Sequence, residues 1–195
     1  MNHKKMYSLS VRFNSIFFFF GICLTILGVF NVATTILINK VPKVNKFKFK
    51  STTLYNNPYT KIQHSSGEMN MDIDFEPCYN WNTNLIFAWI SATYSNGNRR
   101  NEGNTTVTIW DNIMKRDQVE THHFINEKQL LEYPIISKNF DLSEKKIYLE
   151  LHWEHMPVFG FILKKSIPLG NYVIRKEKTK PTKKEIEREV GYDDL

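Results

Sequence analysis

One stretch near the N-terminus limits what this chain can fold into: Ile16 to Ile38, IFFFFGICLTILGVFNVATTILI, with no charge anywhere between Arg12 and Lys40. A helix of that length reaches roughly 35 Å, enough to cross a hydrocarbon core of about 30 Å with some tilt. Asn31 is its costliest residue, and Thr25, Thr34 and Thr35 can bond back to helix carbonyls. A cleaved signal peptide has a shorter apolar region, about 7–15 residues, followed by a small-residue cleavage site. Here Leu37, Ile38, Asn39 and Lys40 follow instead. The run therefore reads as a retained anchor, carrying one folded domain of ordinary size behind it.

That domain has the material for a core, since 14% of the chain is aromatic and all four tryptophans lie after the run. The two cysteines, Cys23 in the run and Cys78 beyond it, are not placed to bridge. A small disulfide-stapled fold is thereby excluded. The net charge of +6 is uneven. Lys40, Lys43, Lys46, Lys48 and Lys50 crowd just after the run, and basic residues recur from Arg175 to Lys184. Such flanks suit anionic lipid headgroups, and equally serve topology and solubility. No nucleic-acid-binding motif accompanies them, so nucleic acid is not an expected partner.

Hydrophobic alternation predicts antiparallel strands. Met69, Met71, Ile73 and Phe75 share one face of 67–76, with Asn70, Asp72, Asp74 and Glu76 on the other. Ile147, Leu149, Leu151 and Trp153 do the same in 147–154, opposite Tyr148, Glu150, His152 and Glu154. Leu85–Tyr94 is apolar on both parities and reads as a central strand. A turn-rich loop, SNGNRRNEGN, leads into Thr105–Ile109, expected to end at Trp110 and Asp111. Phe47 and Phe49 mark a first strand just past the anchor. Phe159–Ser166 and Tyr172–Arg175 are candidate last strands, and Gln129–Tyr133 suits a helical turn or a short strand. Several short strands in one domain favour a β-sandwich. Residues 176–195 are charged and lack a core face, so they read as a flexible tail. A short helix capped by Thr182 with Glu185 at its third position is possible within them.

No constellation of side chains spells out an enzyme. His152 and His155 would share a helix face but point to opposite sides of a strand, and the H-E-x-x-H pattern is missing. His122-His123 has no partner cluster. Ser91 lies in a strand rather than a nucleophile elbow. Cys78, beside Pro77, has nothing to lower its pKa and reads as an ordinary semi-buried thiol. Asp72, Asp74 and Glu76 could hold a cation, although alternating acids are the common pattern of a solvated strand face. No catalytic residue, metal ligand or cofactor site is predicted. Asn104-Thr105-Thr106 is the one N-glycosylation sequon. Among the tryptophans, Trp89 and Trp153 are expected in the core. Trp81 and Trp110 have polar neighbours that suit exposed strand ends, making Asn80, Trp81, Trp110 and Asp111 candidate partner contacts.

These tryptophan segments carry a resemblance. Tyr79–Tyr94 (YNWNTNLIFAWISATY), Thr108–Met114 (TIWDNIM) and Tyr148–Ile162 (YLELHWEHMPVFGFI) resemble the signal peptidase complex subunit 3 family, accessory subunits of the endoplasmic reticulum signal peptidase. That family shows a DWN-type motif leading into a leucine- and aromatic-rich strand that ends in tyrosine. A strand closing on WD follows, then an L-x-W strand followed by proline. The likeness covers roughly Ser8 to Arg175. Three departures stand out. Tyr79 replaces the family's acid, the sequon before the L-x-W strand gives way to Lys145-Lys146-Ile147, and the charged tail is longer.

The resemblance implies a mostly β protein with a single N-terminal transmembrane helix followed by a lumenal antiparallel β-sandwich. It implies a type II order: cytosolic 1–15, a signal-anchor at 16–38, a lumenal domain at 39–175 and the tail beyond. It implies no catalysis by this chain. The partners would be the catalytic signal peptidase subunit, the other subunits of the complex and the lipids of the endoplasmic reticulum membrane. Lysine counting disagrees on orientation: Lys4, Lys5 and Arg12 precede the run, against five lysines after it, which would place the domain in the cytosol. Long domains translocate largely regardless of such charge, so the lumen is the expectation. The residues alone also admit a single-pass cell-surface β-sandwich of receptor or adhesion type.

Overall fold

The computed structural model describes residues 9–57, 59, 62–95, 103–138 and 142–175. The apolar run forms helix α1, Leu9–Ile38, which starts seven residues before the run does. At 30 residues it is long and apolar enough to cross a membrane. The threonine hydroxyls are satisfied within it: Thr25 Oγ1 donates to the Gly21 carbonyl at 2.9 Å and Thr35 Oγ1 to the Asn31 carbonyl at 2.9 Å. Thr34 Oγ1 does the same to the Phe30 and Asn31 carbonyls, so these three hydroxyls are engaged by the helix itself.

Among the described residues eight strands follow: β1 (Lys43–Asn57), β2 (Ile62–Asp74), β3 (Thr83–Ser95), β4 (Asn104–Lys115), β5 (His123–Leu130), β6 (Ile135–Lys138), β7 (Lys146–Pro157) and β8 (Leu163–Val173). They make two four-stranded sheets. One runs β1-β2-β5, with β6 also on β2. The other runs β4-β3-β7-β8, and every pairing is antiparallel. The predicted inward sets form the shared core. Met69, Met71, Ile73 and Phe75 come from the first sheet, and Ile147, Leu149, Leu151 and Trp153 from the second. Tyr172 closes one side of the sandwich, its ring meeting Phe47 and Phe49 edge-on at 6.0 and 5.8 Å.

Gly67 of β2 is required by close packing. A Cβ there would stand 2.8 Å from the Lys50 carbonyl oxygen and 3.0 Å from the Phe49 ring.

Four expectations need correction. β4 does not end at Trp110–Asp111 but continues to Lys115, because its pairing with β3 runs on to Leu85. The two proposed last strands are one, β8, and Phe159–Ile162 is a loop before it. Gln129 and Leu130 finish a strand that begins at His123, and the chain bends at 132–133. Trp89 is not a core residue. The even-numbered positions of β3 (Ile86, Ala88, Ile90, Ala92) face inward, so Trp89 is carried to the outer face, half-buried. The 176–195 tail and most of the 96–103 loop lie outside the described residues.

The lysine cluster also finds an explanation. β1 is an edge strand, and alternation sends Phe47 and Phe49 inward while Lys46, Lys48 and Lys50 fall on the opposite parity. Across the strand pair Lys43 lies opposite Asp74, Lys46 opposite Asp72 and Lys50 opposite Glu68. Opposite charges in facing positions support a sheet, and lysines on an edge discourage pairing with other chains. The acidic face of β2 is thus the complement of these lysines.

Candidate functional site

The Tyr79–Thr83 segment folds into a tight turn at the foot of β3. Asn82 N–H donates to the Asn80 side-chain oxygen at 2.9 Å, Asn80 N–H to Thr83 Oγ1 at 3.2 Å, and Thr83 N–H to the Asn80 carbonyl at 3.1 Å. Asn80 is therefore occupied in shaping the turn. Trp81 stands at its apex with 51% of its surface exposed, while the Arg116 guanidinium holds its carbonyl at 2.8 Å. Tyr79, where the family carries an acid, stacks on His122 at 3.9 Å and donates its hydroxyl to the Met114 carbonyl at 2.8 Å. Burial pushes the Tyr79 pKa well above its ordinary value.

Asn82 emerges as the pivot of the molecule, a role no sequence pattern indicated. It is 2% exposed, and its side chain reaches both the helix and the β7–β8 loop. Its Nδ2 donates to Thr35 Oγ1 of α1 at 2.9 Å and to the Phe159 carbonyl at 2.8 Å. Its Oδ1 accepts from Phe159 N–H at 3.1 Å, and its own carbonyl accepts from Val158 N–H at 2.8 Å. A buried amide with both donors and its acceptor engaged is costly to disturb. Glycines let the loop and helix approach. A Cβ on Gly28 would meet the Phe159 ring at 3.1 Å, and one on Gly160 (φ +117°) would meet Val32 at 3.0 Å.

The other predicted contact pair divides. Trp110 is 3% exposed and packs its ring against Phe124 at 5.6 Å, so the expected exposed strand end there is a buried indole. Strict alternation fails here: a register irregularity in the β3–β4 pairing between Ile90 and Ser91 lets Ile109 and Trp110 both turn inward. Asp111 is half-buried, with its N–H donating to Glu132 at 3.2 Å. Asn104 is exposed at the start of β4 opposite Ser95. Thr83, at the other end of β3, lies beside the helix junction, so a run of about 40 Å of strand separates the sequon from it.

Ser91 does have an imidazole neighbour: His152 of the adjacent β7 places Nε2 2.8 Å from its Oγ. Glu150 approaches the same nitrogen at 3.6 Å. A catalytic triad needs the acid on the ring nitrogen remote from the serine, which orients the base. Here both contacts use one nitrogen, and Ser91 is buried in the middle of a paired strand. Burial, against the opposing pull of Glu150, lowers the His152 pKa. Burial also drives the Cys78 thiol up to about 12, the opposite of what a nucleophile needs. Cys78 is fully buried rather than semi-buried. His152 and His155 fall on opposite faces as the strand period requires: His155 turns into the core and accepts the Trp153 indole N–H at 3.1 Å.

The outer face of β4-β3-β7-β8 carries an aromatic cluster. Phe87 and Trp89 stack at 5.1 Å, and Trp89 stacks on His152 at 5.1 Å. The Lys164 ammonium stands 4.7 Å from the Trp89 ring centre. Beside them lies an open groove of about 550 Å³, which Phe87, Trp89, Val107, Tyr133, Pro134 and Ile136 help to line.

A family model described as "Signal peptidase subunit" matches residues 6–176. The chain belongs to that family. It is 27% identical to signal peptidase complex subunit 3 of Dictyostelium discoideum over 86% of this chain and 94% of that one. The subunit 3 protein of Saccharomyces cerevisiae is 29% identical, covering 61% of this chain and 65% of the other. That of Oryza sativa subsp. japonica is 30% identical over 45% and 55%. Among solved structures, a sporulation control protein of Bacillus subtilis aligns with a TM-score of 0.27 at 10% identity, over 67% of this chain and 49% of that one. The family match leaves a cell-surface receptor unfavoured.

Proposed function

We propose that this signal peptidase family member is a non-catalytic accessory subunit of the signal peptidase complex in the endoplasmic reticulum membrane. The family match over residues 6–176 carries the reading. In it, α1 is a signal-anchor, the sandwich lies in the lumen, and the chain scaffolds the serine protease subunit close to the membrane. Three features of the fold support a scaffold. The helix and the sandwich are tied together through Asn82. The Ser91–His152 pair lacks the arrangement of a catalytic dyad with its orienting acid. The outer face around Phe87 and Trp89, with exposed Trp81 nearer the helix, offers rings to a protein partner. Asn104, Asn80 and Asp111 remain candidates for glycosylation and rim contacts.

Three of the five lysines after the anchor, Lys43, Lys46 and Lys50, stand opposite acids in the β1–β2 ladder, so the sheet gives these a role independent of orientation. The test is purification of the full chain in gentle detergent with identification of its partners. A serine protease subunit and further small membrane proteins are expected, and depletion is expected to leave signal sequences uncleaved. Signal cleavage by the purified single chain would overturn the reading. Protease protection of the sandwich in sealed vesicles tests the lumenal orientation.

A further inference from the structure

The β7–β8 loop departs from everything else at its end of the sandwich. In five residues it presents Val158, Phe159, Phe161 and Ile162, all exposed, Phe161 at 74%. It lies not out in the open but along the second half of α1, with the Phe159 ring over Gly28 and Gly160 against Val32. The depth follows from helix geometry. Gly28 lies ten residues before the helix end at Ile38, about 15 Å back along the axis. Counted instead from Arg12 at the other end, it lies about 24 Å along a span of about 30 Å, still about 6 Å short of the far boundary. On either count Phe159 falls within the hydrocarbon.

An irregular loop at that depth needs its backbone groups satisfied by protein, since no water is present to do so. Asn82 supplies part of this: its side-chain amide takes the N–H and the carbonyl of Phe159, and its own carbonyl takes the N–H of Val158. The backbone at the root of the loop is thus held by protein while Val158, Phe159, Phe161 and Ile162 keep their apolar side chains exposed.

We propose that the Pro157–Ile162 loop inserts into the leaflet beside the sandwich and binds lipid acyl chains through Val158, Phe159, Phe161 and Ile162. Together with α1 it makes a two-point attachment, one helix and one wedge. That attachment fixes the height and tilt of the sandwich above the membrane. The inference rests on the reading of α1 as a membrane span. Lipid is the favoured occupant because the loop surface is continuous with the apolar surface of the helix: Leu24, Val29, Val32 and Ile36 share a groove of about 920 Å³ with Phe159 and Phe161.

The test uses the full chain in phosphatidylcholine nanodiscs with Cys23→Ala, leaving Cys78 as the remaining, buried thiol. Single nitroxide labels are placed at Phe161→Cys, at Ile162→Cys as a second loop position, at Leu27→Cys on the helix, and at Ser95→Cys at the far end of β3. Collision with oxygen, which partitions into lipid, is compared with collision with a water-soluble nickel chelate. The loop labels are expected to match position 27, with an oxygen-to-nickel ratio several-fold above that at position 95. A loop ratio equal to that at 95, with 27 still lipid-like, overturns the wedge and leaves the span standing. Shielding of the loop labels from both reagents means protein covers them, and also overturns it. If position 27 itself matches 95, the span reading fails and the wedge with it.

Discussion

The outer faces of the two sheets differ. The sheet of β1, β2, β5 and β6 shows a ladder of opposed charges, Lys43 with Asp74, Lys46 with Asp72 and Lys50 with Glu68. Sheet β4-β3-β7-β8 shows rings: Phe87, Trp89, His152 and, at the edge of the groove, Tyr133. Inward, both contribute the same kind of side chain to one core. The difference teaches which side is finished. The charge ladder is satisfied in water, although Ile125 of β5 is exposed beside it, whereas the groove of the second sheet is lined mainly by apolar side chains. The two faces of the second sheet sharpen this further, because Trp153 and Trp89 lie on neighbouring strands and face opposite ways.

The largest effect should come from separating those two tryptophans. Trp153 is fully buried and donates to His155, so Trp153→Ala opens a cavity and should cost about 3–5 kcal/mol. Trp89→Ala removes a half-buried ring from the outer face and should cost less than about 1 kcal/mol in the chain alone. Urea unfolding of the full chain in detergent micelles reads both. Equal losses would mean the outer face is as structural as the core.

Next in size is the acid sensitivity of the core. Burial, reinforced by the nearby Lys165 charge, lowers the His155 pKa to about 4. The unfolded chain takes up this proton near pH 6.5 and the folded chain only near 4. Between those values the unfolded state binds more protons, so stability is intact above about pH 6.5 and falls as pH drops toward 4. The loss is of order 3 kcal/mol at most. His155→Gln removes the titration. A stability profile over pH 7 to 4 should be flatter in that variant, and an unchanged slope would remove His155 as the cause.

How much of this was legible beforehand follows a simple physical line. Wherever one parity of a strand is wholly apolar, as in 67–76 and 147–154, the core could be read directly, and Met69, Ile73, Leu149 and Trp153 are where alternation puts them. Where both parities are apolar, as in Leu85–Tyr94, alternation says nothing about direction, and Trp89, expected in the core, faces out. The register irregularity beside Ser91 likewise turns Trp110 inward, and no local pattern announces it. Long-range polar contacts were invisible for a different reason. Asn82 lies 47 residues from Thr35 and 77 from Phe159, and only the folded chain brings them together.

On the partner side of the comparison, Trp89→Ala should matter where stability does not register it. If the ring face is a protein-contact surface, the variant should fold and reach the membrane normally yet recover several-fold less of its partners in a gentle-detergent purification. Lys46→Ala, on the finished face, should recover them in full. The reverse ranking would exchange the roles of the two faces.

The smallest effect is expected on the charge ladder. Asp72 accepts from His123 Nε2 at 2.8 Å and from Asn45 at 3.0 Å. These two bonds first, then the charges of His123 and Lys46, hold its carboxyl below the ordinary value of 3.8. A depressed carboxyl stabilises the fold above its unfolded pKa and loses that contribution as pH falls through the folded value, so its window lies below about pH 4. Asp72→Asn should therefore leave a melt at pH 7 in moderate salt nearly unchanged, because an exposed pair gains little and is screened. Its signature is in salt: the wild-type chain should lose its small advantage over the variant as ionic strength rises. An advantage that persists in high salt would show the contacts of Asp72 to be positional rather than electrostatic, and the first sheet would then share more with the second than its charges suggest.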